Sequence, residues 1–501
     1  MQPVPLLYGS QVTIVNAPDD AVVLRPPPPA EAIAAVAVAV RDALRFPLAG
    51  EPLEALVPRG GRATIVVEPP ALPLPGSSQD PRQAAVVAAA AELERCGIES
   101  KRQTLLVAGG LTRRAGARDL ESLGVVSPDF ARRFHGRVEI HDVEDPLLVP
   151  IGEARRTPLR VNRALVETDV IVIVTAAESV LHGGPGALVG AAGWEALRAS
   201  GAYSLLETGA SLGWEIGLAI ERELARRTAV IGASLVLNHP RLTGAFRGYP
   251  YDPEALPRIA RSPLRRGFAL LPAPLRDRIM KSFRRELTVA AAFAGPPSVA
   301  HAEAMLRAID ARSADLEGQL DAIVIGIPRT TPHLPRERPN PLLAAYLGLA
   351  LALRLWRDAF PLVEGGTAIL LHRFHRHFSH PTQQPYRAFF HATRFGRESE
   401  DLEGAEKAAI ADDRAVAAYR EGRSCHPLLP FVDWAACGPV IGRLGAVIVA
   451  GCRDAVAARQ LGFVPTRGIE AALEMAHGRA GGPPRVGYLL SPPYFPLRVS
   501  V

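Results

Sequence analysis

"ALVETDVIVIVTAAESVLHGGPGALVGAAG", residues 164–193, is the stretch that decides the fold. Its centre, DVIVIVTA, is a continuous run of β-branched residues without polar alternation, the pattern of a strand buried on both faces of a parallel sheet. A helical approach leads into this strand, which should end near Thr175, and a glycine-rich loop follows. Working outward, ATIVVE (63–68) and QTLLVAGG (103–110) read as buried strands with the helix DPRQAAVVAAAAELERCG between them. VEIHDV and AVIGASLVL (229–237) supply further strands. Strands alternating with amphipathic helices imply crossover units around a largely parallel sheet.

Residues 250–297 change composition, being rich in proline and arginine, and read as a helical connector rather than a sheet layer. The alternation then resumes with DAIVIGIP (321–328), the helix PLLAAYLGLALALRLWRDAF, the strand GTAILL, polar helices between Gly404 and Arg420, GAVIVAG (445–451) and RVGYLL. The expected fold is α/β: two α/β domains, each with a largely parallel sheet flanked by helices, over residues 1–249 and 298–501, joined by the connector 250–297. Ligands of such sheets gather at the carboxyl ends of the strands.

The 501 residues are 48% hydrophobic and 22% charged, which excludes disordered and fibrous classes. The net charge of +6 is spread along the chain with no basic run carrying interleaved aromatics, so no nucleic-acid partner is expected. Cys96, Cys425, Cys437 and Cys452 lack CxxC spacing and form no disulfide framework; they suggest a reducing compartment. The N-terminus lacks the basic start and apolar core of a signal peptide, and no apolar run is long enough to span a bilayer. A cytoplasmic protein without a membrane partner is the expectation.

Two motifs carry candidate chemistry. LLHRFHRHFSHPTQQPYRAFFH (370–391) follows a strand and concentrates histidines. His372, His375, His377 and His380 could supply imidazoles for nickel or another divalent metal, although HxxHxHxxH matches no standard signature. The interleaved Arg373 and Arg376 instead suit carboxylate or phosphate, and a solvated polar loop is the plain alternative. The second motif is the glycine loop 178–193. Backbone N–H groups of Gly183, Gly184 and Gly186 could cradle an anion, or the glycines could serve only turns and close packing. His182 beside them is either a proton carrier or an ordinary hydrogen-bonding residue.

Several segments together resemble the nickel-pincer lactate racemases. TIVVEPPALPLPG is similar to that family's first strand and proline-bearing loop, and LLVAGGLTRR to its second strand. TPLRVNRALVETDVIVIVTAAES leads into a loop placed like the family's cofactor loop, and GWEIGLAIERELARRTAVIGASLVLNHPRLTGAFRGYP is similar to its closing strand and turn. DAIVIGIP, EGGTAILL, FVDWAACGPVIGRLGAVIVAG and GIEAALEMAHGR fall in the family's order. The resemblance thus covers most of the chain outside 250–297. It implies hydride abstraction from the α-carbon of a 2-hydroxy acid by a nickel-bound pyridinium thioamide tethered to a lysine of the glycine loop, with a histidine pair serving the hydroxyl proton.

The sequence departs from this pattern at the chemistry. Its only lysines are Lys101, Lys281 and Lys407, so the loop 178–193 lacks the tether, and arginine cannot form such a linkage. The family's first-loop Asp and Arg fall on Pro69 and Leu72, its second-loop histidine on Thr112, and Val180 takes the natural place of a catalytic histidine. Trp434 matches a family tryptophan near the active site, a match that packing would equally explain, since tryptophan is commonly a large core residue. The expectation is therefore a cleft for a small carboxylate or phosphorylated ligand, without a covalent lysine-tethered cofactor. His182 and Trp434 are its candidate catalytic residues and Arg113, Arg114, Arg373 and Arg376 its candidate anion contacts. The reaction class is isomerisation of a hydroxy acid with a metal or a noncovalent pincer cofactor, and the rival reading is a noncatalytic binding homologue.

Overall fold

Two six-stranded sheets carry the architecture. A computed structural model describes the chain except residues 73–79, 115–124, 263–266, 269, 273–274, 277, 280–284, 330–337, 377 and 379 and the side chain of Pro128. The first sheet runs in the order Val289–Gly295, Ala229–Leu237, Val170–Ala176, Ala63–Val67, Gln103–Val107, Arg137–Ile140. Its first pairing is antiparallel and the rest are parallel. Every residue of Val170–Ala176 is buried, because the strand lies mid-sheet with layers on both faces; burial of each valine or isoleucine contributes about 1.5–3 kcal/mol. The second sheet, all parallel, runs Val464–Thr466, Leu444–Ala450, Leu362–Leu371, Leu320–Gly326, Val486–Leu489, Val22–Leu24.

The divisions expected after residues 249 and 297 do not follow the sheets. Val22–Leu24 pairs with Val486–Leu489 in the second sheet. The hairpin Gln2–Tyr8 and Gln11–Ala17 shares the core of that sheet, and the Gly9 N–H donates to the Ile327 carbonyl at 2.8 Å. Conversely, Val289–Gly295 closes the edge of the first sheet, and the helix Pro297–Arg312 packs on it. The segment expected as a helical connector on its proline and arginine content thus contains an edge strand, VAAAFAG, whose alanines carry little strand signal.

The apolar run beginning at Pro341 is also not one α-helix. It is α-helical through Ala345, widens into a π-turn over Tyr346–Leu351 and tightens to a 3-10 turn over Ala352–Arg354. Gly348 makes the close approach possible, since a Cβ there would lie 2.6 Å from Cδ2 of Leu370. Such π-turns re-aim side chains and cluster at functional sites. No described helix is long and apolar enough to cross a membrane.

Candidate functional site

Between the two sheets lies a cavity of about 700 Å³. One wall comes from the carboxyl ends of first-sheet strands: Glu68 to Ala71, Ala108 to Arg113, and Leu181 and His182. The facing wall comes from the second half of the chain. Tyr346, Ala350 and Arg354 come from the π and 3-10 turns, Asp433 from the helix Leu429–Ile441, and His380 from the loop after Leu371.

On the first wall, Glu68 is 5% exposed and its Oε1 has no hydrogen-bond partner. Burial, reinforced by the neighbouring Glu178 charge, pushes its carboxyl up to about 8 against the opposing pull of Arg82 and the Gly183 N–H. Glu68 is therefore a neutral acid at pH 7. Behind it Arg82, fully buried, donates to Asp80 at 2.9 Å and to Glu178 at 2.6 Å, while Glu178 also accepts from the Ala71 N–H. His182 Nδ1 lies 2.9 Å from Ser179 Oγ. Burial, with the Arg82, Arg354 and His301 charges added, lowers this imidazole to about 4, so it is neutral at pH 7.

On the second wall, Asp433 accepts a 2.6 Å hydrogen bond from the Tyr386 hydroxyl. Its burial outweighs that bond and raises the carboxyl to about 7. Arg354 is 2% exposed, and its Nε and Nη1 donate only to the backbone carbonyls of Tyr203 and Ala436. No carboxylate among the described residues pairs with it. A buried guanidinium bordering a cavity can pair with an anion that enters it. Glu68, Asp433 and Arg354 were not singled out in the sequence.

The glycine loop does not offer the expected anion cradle. Gly184 donates its N–H to Thr175 Oγ1 at 3.0 Å, and Gly183, at φ +105°, holds its N–H beside Glu68. Gly186 N–H is spent on the Gly183 carbonyl. Gly183 and Gly184 are required by His301, whose buried ring, bonded to Ser234 and to the Ser179 carbonyl, lies directly beneath. A Cβ on Gly183 would sit 2.1 Å from His301 Cε1. Gly183→Ala should therefore destabilise the fold by about 2–3 kcal/mol, as steric overlap adds to the positive φ; urea denaturation giving less than half of that would show that the loop can yield.

The other expected residues are scattered. Trp434 does not border the cavity; its indole donates to the Arg397 carbonyl and packs between Phe389 and Phe463, so it is a core residue beside the cavity-lining Asp433. Arg113 does border the cavity and donates to the Gly422 carbonyl across the cleft. Arg114 donates to the carbonyls of Ile140 and Arg420 and lies near Asp142. Arg376 is held by Asp454. Of the histidines, His380 reaches the cavity, with Nδ1 2.8 Å from Thr382 Oγ1. His372 packs edge-on against Phe374, with burial lowering it to about 3, and His375 is its neighbour. His377 lies outside the described residues. Among the described residues no three His, Cys, Asp or Glu side chains converge as a metal-ligand group.

A pincer cofactor tethered through lysine does not fit this cavity. No described lysine borders it: Lys101 and Lys407 pair with Glu99 and Glu403 on the surface, and Lys281 lies outside the described residues. The polar side chains of the described residues bordering the space are two carboxyls, imidazoles, guanidinium groups and the hydroxyls of Thr112, Ser200, Tyr346 and Thr382, a set suited to binding an anion and moving protons.

Residues 8–198 match the lactate racemase N-terminal domain family. The whole chain is similar in structure to the lactate racemase apoprotein from Thermoanaerobacterium thermosaccharolyticum, with a TM-score of 0.61, 13% identity and 98% of each chain covered. It is also similar to a Thermotoga maritima protein, with a TM-score of 0.50 and 13% identity over 92% of this chain and 98% of the other. At such identities these likenesses concern the fold. No curated protein matches the sequence.

Proposed function

We propose that this chain, a lactate-racemase-like protein by its N-terminal domain and fold, is an isomerase of a small chiral carboxylic acid, of the 2-hydroxy acid class, working without a tethered cofactor. The observation that carries the reading is the pair of buried carboxyls on opposite walls, Glu68 at about 8 and Asp433 at about 7, in the cavity that Arg354 also borders. Catalytic acids and bases work best with pKa values near the operating pH. Arg354 takes the substrate carboxylate. The ionised Asp433 removes the α-proton, the developing enediolate is stabilised by the Arg354 charge, and the neutral Glu68 returns a proton to the other face. The electron pair of the C–H bond moves into the carboxylate and back, so no oxidant is consumed. The neutral His182 is placed to accept a hydrogen bond from a hydroxyl or to donate one to it.

The test is exchange of the α-hydrogen in heavy water across a panel of enantiopure hydroxy acids, followed by proton magnetic resonance and chiral chromatography. Solvent deuterium at Cα together with loss of optical purity is the expected result. The missing lysine favours a second reading, a binding protein without turnover; binding with no exchange for any acid would establish that reading and end the first. Arg354→Met should weaken carboxylate binding about 100-fold, the worth of a charge-assisted pair in a buried site. Calorimetric titration giving an unchanged Kd would remove Arg354 from the site.

A further inference from the structure

The arginines of the histidine-rich loop are not absorbed by the cleft. A second hollow, of about 430 Å³, lies at the carboxyl edge of the all-parallel sheet and is bordered by Leu371, two residues before Arg373. It is bordered by Tyr8 and Thr13 of the N-terminal hairpin and by Arg467 to Ala471, and it shares no lining residue with the cleft. Three strands paired side by side end here, at Leu371, Ala450 and Thr466. The loop leaving each one delivers an arginine almost at once: Arg373, Arg453 and Arg467.

Adjacent strands lie about 4.8 Å apart, so the three bases stand in a row along the sheet edge. Among the described residues none of the three has a carboxylate partner. The nearby Asp454 is taken by Arg376, and Glu470 is the one carboxylate on the rim. Burial and the Arg453 charge hold the Arg373 guanidinium below its usual range, with Arg276 and Arg338 adding to the crowding and Tyr8 opposing it. Like charges gathered at the mouth of a hollow favour an anion there.

We infer that this hollow is a second ligand site, for a small phosphate-bearing molecule, with Arg373, Arg453 and Arg467 as its phosphate contacts. A carboxylate is satisfied by one guanidinium fork, whereas a phosphate presents three terminal oxygens and up to two charges. The carboxyl edge of a parallel sheet is where open α/β folds collect such ligands. The first turn of the helix Ile469–Ala480, which has no side-chain cap, adds backbone N–H groups at the rim but does not carry the assignment. The inference is independent of the chemistry assigned to the cleft.

Inorganic pyrophosphate is the probe, titrated calorimetrically into the full chain at fixed ionic strength. One saturable site per chain is expected. The double variant Arg453→Ala, Arg467→Ala, whose side chains are exposed and whose melting temperature should be unchanged, should weaken binding about 20-fold or more. Arg467→Lys should fall between, keeping the charge and losing the fork. Arg354→Met should bind the probe as the parent does. The site is refuted by absence of saturable binding, by affinity that survives in the double variant, or by loss of binding in Arg354→Met, which would put the anion in the cleft.

Discussion

Arg82→Met should cost the fold about 3–5 kcal/mol, the largest stability effect expected of a single substitution in this protein, because it strands buried charge rather than merely removing a contact. Arg82 is fully buried and is the hub of Asp80, Glu178 and Glu68. Asp80 also accepts from the Arg82 backbone N–H at the start of the helix Arg82–Arg95. With the guanidinium gone, Asp80 and Glu178 must either remain ionised without a partner or take up protons. Urea denaturation should show a lowered midpoint with an unchanged slope. Adding Glu178→Gln should restore part of the loss, so the two changes together cost less than their sum. A penalty below about 1 kcal/mol, the range of an exposed pair, would mean that the cluster is open to water and that Glu68 beside it is not buried enough to stay protonated.

The sheets were legible because their strands are written in uninterrupted valine and isoleucine: AVIGASLVL reads as residues 229–237 and forms Ala229–Leu237. The edge strand Val289–Gly295 and the transfer of Val22–Leu24 to the far sheet were not, since alanine carries little strand signal and pairing between distant segments leaves no local mark. Strand order points to the cleft, but not to the buried charged residues that line it. Arg354 and Asp433 each stand as lone charges in long apolar runs, YLGLALALRLW and LLPFVDWAAC. That isolation was the available signal, because a charge in a segment bound for the core is costly and is kept for a use. The histidine loop drew attention through composition, yet composition does not fix convergence. His372 turns toward Phe374, while His380, a few residues on, borders the cleft. Trp434 was chosen one residue from Asp433, the side chain that does face the cavity.

Asp433→Asn and Glu68→Gln should each lower α-hydrogen exchange by at least about 100-fold, the usual worth of a positioned acid or base, and the pH profile distinguishes their roles. The proposed direction needs Asp433 ionised and Glu68 neutral, so exchange should rise through about 7 and fall through about 8, giving a narrow bell. The same groups act on stability with the opposite emphasis. Both carboxyls titrate higher in the folded chain than in the unfolded one, so the folded state binds more protons between the two values and stability falls as pH rises. For Asp433 this window runs from the ordinary carboxylate range to about 7, and for Glu68 to about 8. Glu68→Gln, which mimics the neutral acid, should therefore be more stable than the parent at pH 8 and nearly equal to it at pH 4, while losing exchange between pH 7 and pH 8, where the parent is active. A substitution that strengthens the fold at alkaline pH and removes turnover separates a functional buried carboxyl from a structural one. If Glu68→Gln instead weakened the fold equally at pH 4 and pH 8, Glu68 would be an ionised member of the Arg82 cluster and the two-carboxyl mechanism would lose its acid.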